Sequence, residues 1–211
     1  MRIFTLKNSD KGERNDITVK LREVLSLCKD TEGEKLIEFE QDEYHFYQDF
    51  ATKKTLYCSN TDSERFPEKY VAIDIEKQKN ITVDGNGSRF IMHGKLVPVS
   101  VIECENIVFR NFSWDFPCAG TLEMKLTEVG KFHADFQLPA AAQWKSFINS
   151  LYWFEASPFT GEKYWQNLGD TKSHCVVLHN PKQKNVVCLL LNRIYCPLIT
   201  RTSFHKKTGS G

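Results

Sequence analysis

A parallel β-helix is the fold class that the sequence predicts, on three observations. With a shift of 26 residues, Val71, Ile73, Ile75, Asn80, Ile81 and Val83 fall on Val97, Val99, Val101, Asn106, Ile107 and Phe109, apolar on apolar throughout. Each copy alternates apolar and polar residues and then runs Asn-Ile-x-apolar, the period-2 signature of strands with one buried face. Polar corners separate the strands, and an Asn opens each second strand, where it tolerates left-handed backbone angles and its amide can bond stacked corner residues one coil above or below. A repeat of this length with one or two strands per copy is how a solenoid is written in sequence. A β-sandwich whose hairpins repeat is the alternative, since two copies are clear where a solenoid wants at least three.

Taken in order, the first strong element is helical. Ile17, Leu21, Val24, Leu25 and Cys28 share one helical face, which predicts an amphipathic helix over Asp16–Lys29. A solenoid exposes strand edges at its first coil, and this helix is assigned as the cap that covers them. Leu36, Ile37 and Phe39, then Tyr44 and Phe46, predict the two strands of a less regular first coil. From Gln48 to Lys69 the sequence is polar and charged, with Ser59, Asn60, Thr61, Asp62 and Pro67, and reads as a long corner loop. The clear repeat spans Val71 to Asp115. Beyond it, Leu122, Met124 and Leu126 alternate, as do Phe132, Ala134 and Phe136, which predicts a hairpin turning near Gly130, with further strands at Tyr152–Glu155 and Cys175–His179. The expected organisation is a helix-capped β-helix start over 1–118, an inserted small antiparallel β subdomain over 119–185, and a C-terminal segment with a flexible tail over 186–211.

Composition excludes several function classes. Lys and Arg total 28 against 27 Asp and Glu, so no broad field invites nucleic acid or an anionic membrane. Val186–Leu191, the longest apolar run near the C-terminus, is too short to span a bilayer. The N-terminal MRIFTLKNSDKGERND has no apolar stretch or cleavage site of a signal peptide. Seven cysteines form no CxxC pair and leave one over, which predicts reduced thiols. His174 and His179 fall on opposite faces of a strand and have no partner at ligand spacing, so neither a metal nor a cofactor is expected. Asp84-Gly85-Asn86-Gly87 lacks the downstream helix that a phosphate-cradling loop requires and reads as a β-helix corner.

Several stretches together carry a resemblance. Lys35–Phe39 and Tyr44–Tyr47, the run Asn80-Ile-Thr-Val-Asp-Gly-Asn-Gly-Ser-Arg-Phe-Ile-Met-His-Gly94, and Asn106–Asp115 resemble the N-terminal part of glycoside hydrolase family 110. The likeness covers roughly residues 15 to 180, and its most specific block is Asp84 to Gly94. It implies a right-handed parallel β-helix and an exo-acting, inverting α-1,3-galactosidase that removes terminal galactose from blood-group-B-like glycans. It also implies a secreted or periplasmic setting. The family's catalytic aspartates lie on later coils, past the end of this chain, so no catalytic residue is carried over and an incomplete enzyme is expected.

Four residues are candidates for touching such a sugar. Asp115 follows the second strand of the second clear coil, although Asp at a strand end commonly caps a turn. His93 ends a strand before Gly94 and could bond a sugar hydroxyl, or stack as a corner histidine. Trp114, Trp153 and Trp165, with Tyr164, offer rings to the apolar C–H face of galactose; for Trp153 burial is the default. Trp165 closes the segment Ser157–Trp165, read as a displayed loop. The rival functions are a non-catalytic carbohydrate-binding or structural β-helix module, and a polysaccharide lyase, which would need a calcium-binding carboxylate cluster that the repeat lacks.

Overall fold

A computed structural model describes residues 1–59, 63–118, 125–129, 134–137, 143–147, 150–169, 175–180 and 185–190. Within them the chain is mostly strand, with one α-helix. In chain order the elements are β1 (Arg2–Leu6), α1 (Thr18–Lys29), β2 (Lys35–Phe39), β3 (Glu43–Tyr47), β4 (Thr52–Thr55), β5 (Glu68–Glu76), β6 (Lys79–His93), β7 (Leu96–Ile102) and β8 (Glu105–Asp115). Then follow β9 (Lys125–Val129), β10 (Ala134–Gln137), β11 (Gln143–Phe147), β12 (Ser150–Ala156), β13 (Lys163–Gly169), β14 (Cys175–Asn180) and β15 (Asn185–Leu190). Two compact units emerge, Met1–Cys118 with Ala156–Tyr164, and Ala119–Glu155 with Trp165–Gly211. No helix among the described residues is long and apolar enough to cross a membrane.

The first unit is dominated by parallel pairing. β5 lies on β7 with Val71 opposite Val97, Ile73 opposite Val99 and Ile75 opposite Val101. β6 lies on β8 with Ile81 opposite Ile107 and Val83 opposite Phe109. The sequence repeat is therefore the pairing register itself. The corners repeat too: Asn80 and Asn106 hold φ of 54° and 55°, and the Asn106 amide donates to the Asn80 amide oxygen at 2.9 Å. Asparagine accepts this left-handed conformation at low cost, and the amide ladder ties the two corners. β2 and β3 both pair with β6, Ile37 opposite Val83 and Tyr44 opposite Phe90, and β1 adds outside β2.

The core follows from this register. Ile37, Phe39, Tyr44, Phe46, Ile73, Ile75, Ile81, Val83, Phe90 and Met92 are fully buried in one cluster, joined by Ile17 and Leu21 of the helical segment. α1 packs against β5, β1 and β3. It starts at Thr18, two residues later than the apolar spacing predicts, because the Asp16 carboxylate accepts from the Thr18 amide at 3.0 Å and the Tyr47 amide at 3.2 Å and so stays outside the helix.

Two segments differ from expectation. The stretch 48–69 is not all loop: Thr52–Thr55 forms β4, antiparallel to β5. Lys54 reaches Asp74 at 3.0 Å and Glu76 at 2.7 Å, so ion pairs hold this edge strand, which hydropathy does not display. Arg2–Leu6 is also a strand, although only Leu6 of its five residues is buried and the alternation signal is correspondingly weak.

β6 contains a two-residue irregularity. Asp84 pairs with Arg110 but Ser88 pairs with Phe112, so Gly85, Asn86 and Gly87 stand opposite Asn111 alone. The strand resumes at once, so these residues are a corner with no helix after it. A Cβ at Gly85 would collide with the Phe112 Cβ and lie 2.9 Å from the Asn111 carbonyl oxygen. Gly85→Ala is therefore expected to cost about 1–3 kcal/mol, read as a lower urea midpoint, through forced separation of β6 and β8.

In the second unit β9 pairs antiparallel with β10, β11 with β12, and β14 with β15 from Cys175 opposite Leu190 to Asn180 opposite Asn185, while β13 adds beside β12. Leu122, Met124, Gly130, Phe132, His174 and the segment 191–211 lie outside the described residues.

Candidate functional site

Alternation along β3, β6 and β8 builds one polar face. Tyr44, Phe46, Phe90 and Met92 are fully buried, so Glu43, His45 and Tyr47 of β3 and Arg89, Ile91 and His93 of β6 point to the other side of the sheet. On β8 the register Ile91 opposite Asp115 and Arg89 opposite Ser113 places Asp115 on that same side.

The polar side chains of this face form a continuous chain. Arg89 donates to Asp115 at 2.7 Å and to Glu43 at 3.2 Å. The Glu43 carboxylate lies 3.3 Å from His45 Nε2, and His45 Nδ1 lies 2.8 Å from His93 Nε2. Two of the sequence-predicted residues, Asp115 and His93, are thus the ends of one hydrogen-bonded row. The Arg89 guanidinium and the Phe116 amide hold the Asp115 carboxyl below the usual carboxylate range. Asp115 is ionised at neutral pH and equipped to accept hydrogen bonds from hydroxyls rather than to donate a proton. Burial pushes the His45 imidazole down, His93 adds to the effect, and the Glu43 carboxylate opposes it.

Aromatic rings border the same face. The Tyr47 ring stacks on His93 with centroids 4.2 Å apart and planes 7° apart. The returning segment 156–164 is fastened here by Ser157, whose hydroxyl donates to Asp49 at 2.8 Å, and by the Tyr164 hydroxyl, which donates to the other Asp49 oxygen. Phe159 sits edge-on to Tyr47 and Phe50. Tyr164 also lies over Gly94, where a Cβ would come within 3.1 Å of its ring.

The two tryptophans are placed elsewhere. Trp114 is opposite Phe90 in register and so projects to the other side of the sheet from Asp115, where it is 50% exposed. It lines an apolar recess of about 480 Å³ with Val99, Phe109, Phe112 and Ser113. Trp165 lies in β13 rather than in a loop, is 6% exposed, and donates through its indole N–H to Glu155 at 3.2 Å. It belongs to the second unit, as does Trp153, buried at 9% exposure. Glu43, His45, Arg89 and Asp49 were missed by sequence reasoning. The alternation Glu43-x-His45-x-Tyr47, with polar groups on the side of β3 away from the core cluster, is the available signal. Among the described residues no three His, Cys, Asp or Glu side chains group as a metal site.

No protein-family model matches the chain. Its sequence is similar to that of curated α-1,3-galactosidases. An α-1,3-galactosidase B of Phocaeicola vulgatus is 41% identical over 127 residues, covering 59% of this chain and 21% of the relative. One of Bacteroides fragilis is 35% identical over 127 residues, with the same coverage. One of Bacteroides thetaiotaomicron is 28% identical over 203 residues, covering 83% of this chain and 32% of the relative. The chain thus spans about a fifth to a third of the length of these relatives. This similarity agrees with the resemblance to glycoside hydrolase family 110.

Proposed function

We propose, from the similarity to α-1,3-galactosidases, that this chain forms part of a right-handed parallel β-helix that recognises a terminal galactose of a glycan, with α1 as the cap of the helix. The observation that carries the reading is the 41% identity over 127 residues to a protein of that name. The parallel β2-β6-β8 and β5-β7 pairings and the stacked Asn80 and Asn106 corners support the solenoid part of it. Asp115 accepts hydroxyl hydrogen bonds and His93 supplies a ring nitrogen along the same row; Trp114, whose ring lies on the opposite side of the sheet, is no part of that row. Trp165, buried, is left out of this assignment. No catalytic residue is assigned.

A specific observation favours a second reading, a non-catalytic carbohydrate-binding module. Inverting hydrolysis needs a carboxylic acid to protonate the leaving oxygen and a carboxylate about 6.5–9.5 Å away to activate water. Asp115 is held ionised by Arg89 and cannot serve as the acid.

The test is NMR of this chain with a terminal α-1,3-linked galactoside, following both binding and product anomer. Binding that Asp115→Asn weakens about tenfold is expected from the loss of a charged acceptor. Hydrolysis with inversion would favour the enzyme, binding without turnover the module, and absence of both would reject the reading. Turnover that survives Asp115→Asn would direct the search for carboxylates to Glu155 and Glu162.

A further inference from the structure

His45 and His93 meet through facing ring nitrogens. The ring centroids are 5.1 Å apart and the planes 9° apart, while the facing nitrogens are 2.8 Å apart. Subtracting the nitrogen contact leaves about one ring radius on each side, so both nitrogens lie on the line between the centroids. The rings meet head to head in one plane. Two lone pairs aimed straight at each other do not converge on a common cation; they hold one proton between them.

Which ring owns that proton follows from the neighbours. Glu43 sits 3.3 Å from His45 Nε2, and a carboxylate beside an imidazole nitrogen selects the tautomer that donates to it. His45 therefore carries its proton on Nε2, its Nδ1 accepts, and His93 Nε2–H donates. One proton added to the neutral pair gives an imidazolium–imidazole contact that keeps the shared proton, whereas protonation of both rings sets two N–H groups against each other at 2.8 Å, so the contact must part.

We propose that His45 and His93 act as a proton-operated clasp on this face: one shared proton fastens β3 to β6 at neutral pH, and protonation of both rings in acid opens the pair and removes His93 from its place over Tyr47. The clasp deepens the galactose-binding reading by naming the regulation of the same site, and rests on that reading only where it concerns ligand. Its charged and titratable surroundings come from every side. Glu43 and Tyr47 stand on β3, Arg89 on β6 and Asp115 on β8, each already placed on or beside the row. Lys11 lies close enough to disfavour the charged form of His45. Asp16 forms a bridge to the His45 backbone, Arg14 offers its carbonyl to the Tyr47 hydroxyl at 3.5 Å, and Asp49 holds Tyr164 near Gly94. Glu43 draws a proton toward His45, while Lys11, burial and His93 repel it. The opening therefore falls on the acid side of the ordinary imidazole range.

The sign of the stability effect follows. His45 is lowered in the folded chain, so the unfolded chain binds its proton first. Stability contributed by the neutral pair is present above the unfolded imidazole value and is lost as pH falls through the lowered one.

The direct test is ¹⁵N NMR of the histidine rings in the full chain without ligand. At pH 7.5 a coupling between His45 Nδ1 and His93 Nε2 across the hydrogen bond is expected, with His45 protonated on Nε2; on acidification the coupling vanishes before the protein unfolds. His93→Gln is expected to raise the His45 titration midpoint, and Glu43→Gln to lower it. A missing coupling at pH 7.5 in the folded wild-type chain, or a His45 midpoint indifferent to both substitutions, would overturn the clasp. Because this readout needs no sugar, its failure is separate from failure of the galactoside-binding experiment. If both hold, galactoside affinity falls over the same pH window in which the coupling is lost.

Discussion

Phe90→Ala is expected to lower the unfolding free energy by about 3–5 kcal/mol, the usual cost of emptying a large aromatic from a packed core. Phe90 is fully buried, and its ring contacts others on three neighbouring strands. Phe39 lies 4.9 Å away, Phe46 5.3 Å, and Phe112 stacks at 4.6 Å with planes 22° apart. These rings cannot move in to fill the space, because each is fixed by a parallel backbone ladder on β2, β3 or β8, and a cavity that cannot collapse carries the full penalty. Phe90→Leu refills most of the volume and is expected to cost clearly less. Urea unfolding followed by tryptophan fluorescence decides the matter, and a wild-type midpoint for Phe90→Ala would show that the stack is not the centre of the core.

The same ring stack shows why the repeat was legible. Val71, Ile73 and Ile75 meet Val97, Val99 and Val101 in the ladder because a parallel in-register stack buries like on like, and a one-residue slip would turn every apolar side chain outward. The asparagine corners were readable for a related reason, since few side chains accept φ near 55°. The pairing of β2 and β3 with β6 was not readable as a repeat. β4 and its connections lie between β3 and β5, so Tyr44 meets Phe90 across 46 residues of sequence rather than the 26 of the clear repeat.

The candidate site was legible at its ends and hidden in its middle. Asp115 and His93 stand beside corners, where a polar residue attracts notice. Glu43, His45 and Arg89 are ordinary strand residues on the face away from the core cluster, and only the register of three strands brings them into one row. Trp114 and Asp115 are neighbours in sequence, yet successive strand residues point to opposite faces, which separates the ring from the carboxylate. Pro158 and Gly161 make the segment that ends at Trp165 read as a loop. The turn they make ends at Glu162, and Trp165 follows inside β13.

Asp84→Ala is expected to destabilise the fold by about 1.5–3 kcal/mol at neutral pH, the cost of removing a charged acceptor from groups left in place. Its side chain is 11% exposed, and it accepts from Arg110 Nε at 2.7 Å, the Asn111 amide at 3.0 Å and the Asn86 backbone amide at 3.0 Å. One carboxylate thus satisfies both strands of the irregular corner, including two residues with positive φ, Asn86 at 50° and Asn111 at 58°. Burial alone would raise its pKa, but the hydrogen bonds from Asn86, Asn111 and Arg110 outweigh it and hold the group below its ordinary value. The folded chain therefore releases this proton more readily than the unfolded chain. The stability is present above the ordinary aspartate range and is lost as pH falls through the lowered value. Asp84→Asn keeps an acceptor for the Asn86 amide but no charge for Arg110, so it is expected to cost less than alanine at pH 7, and its gap to the wild type to narrow as the pH falls below the ordinary aspartate range. Equal stability gaps between the wild type and Asp84→Asn at pH 7 and pH 3 would show that the charge of Asp84 does not hold the corner.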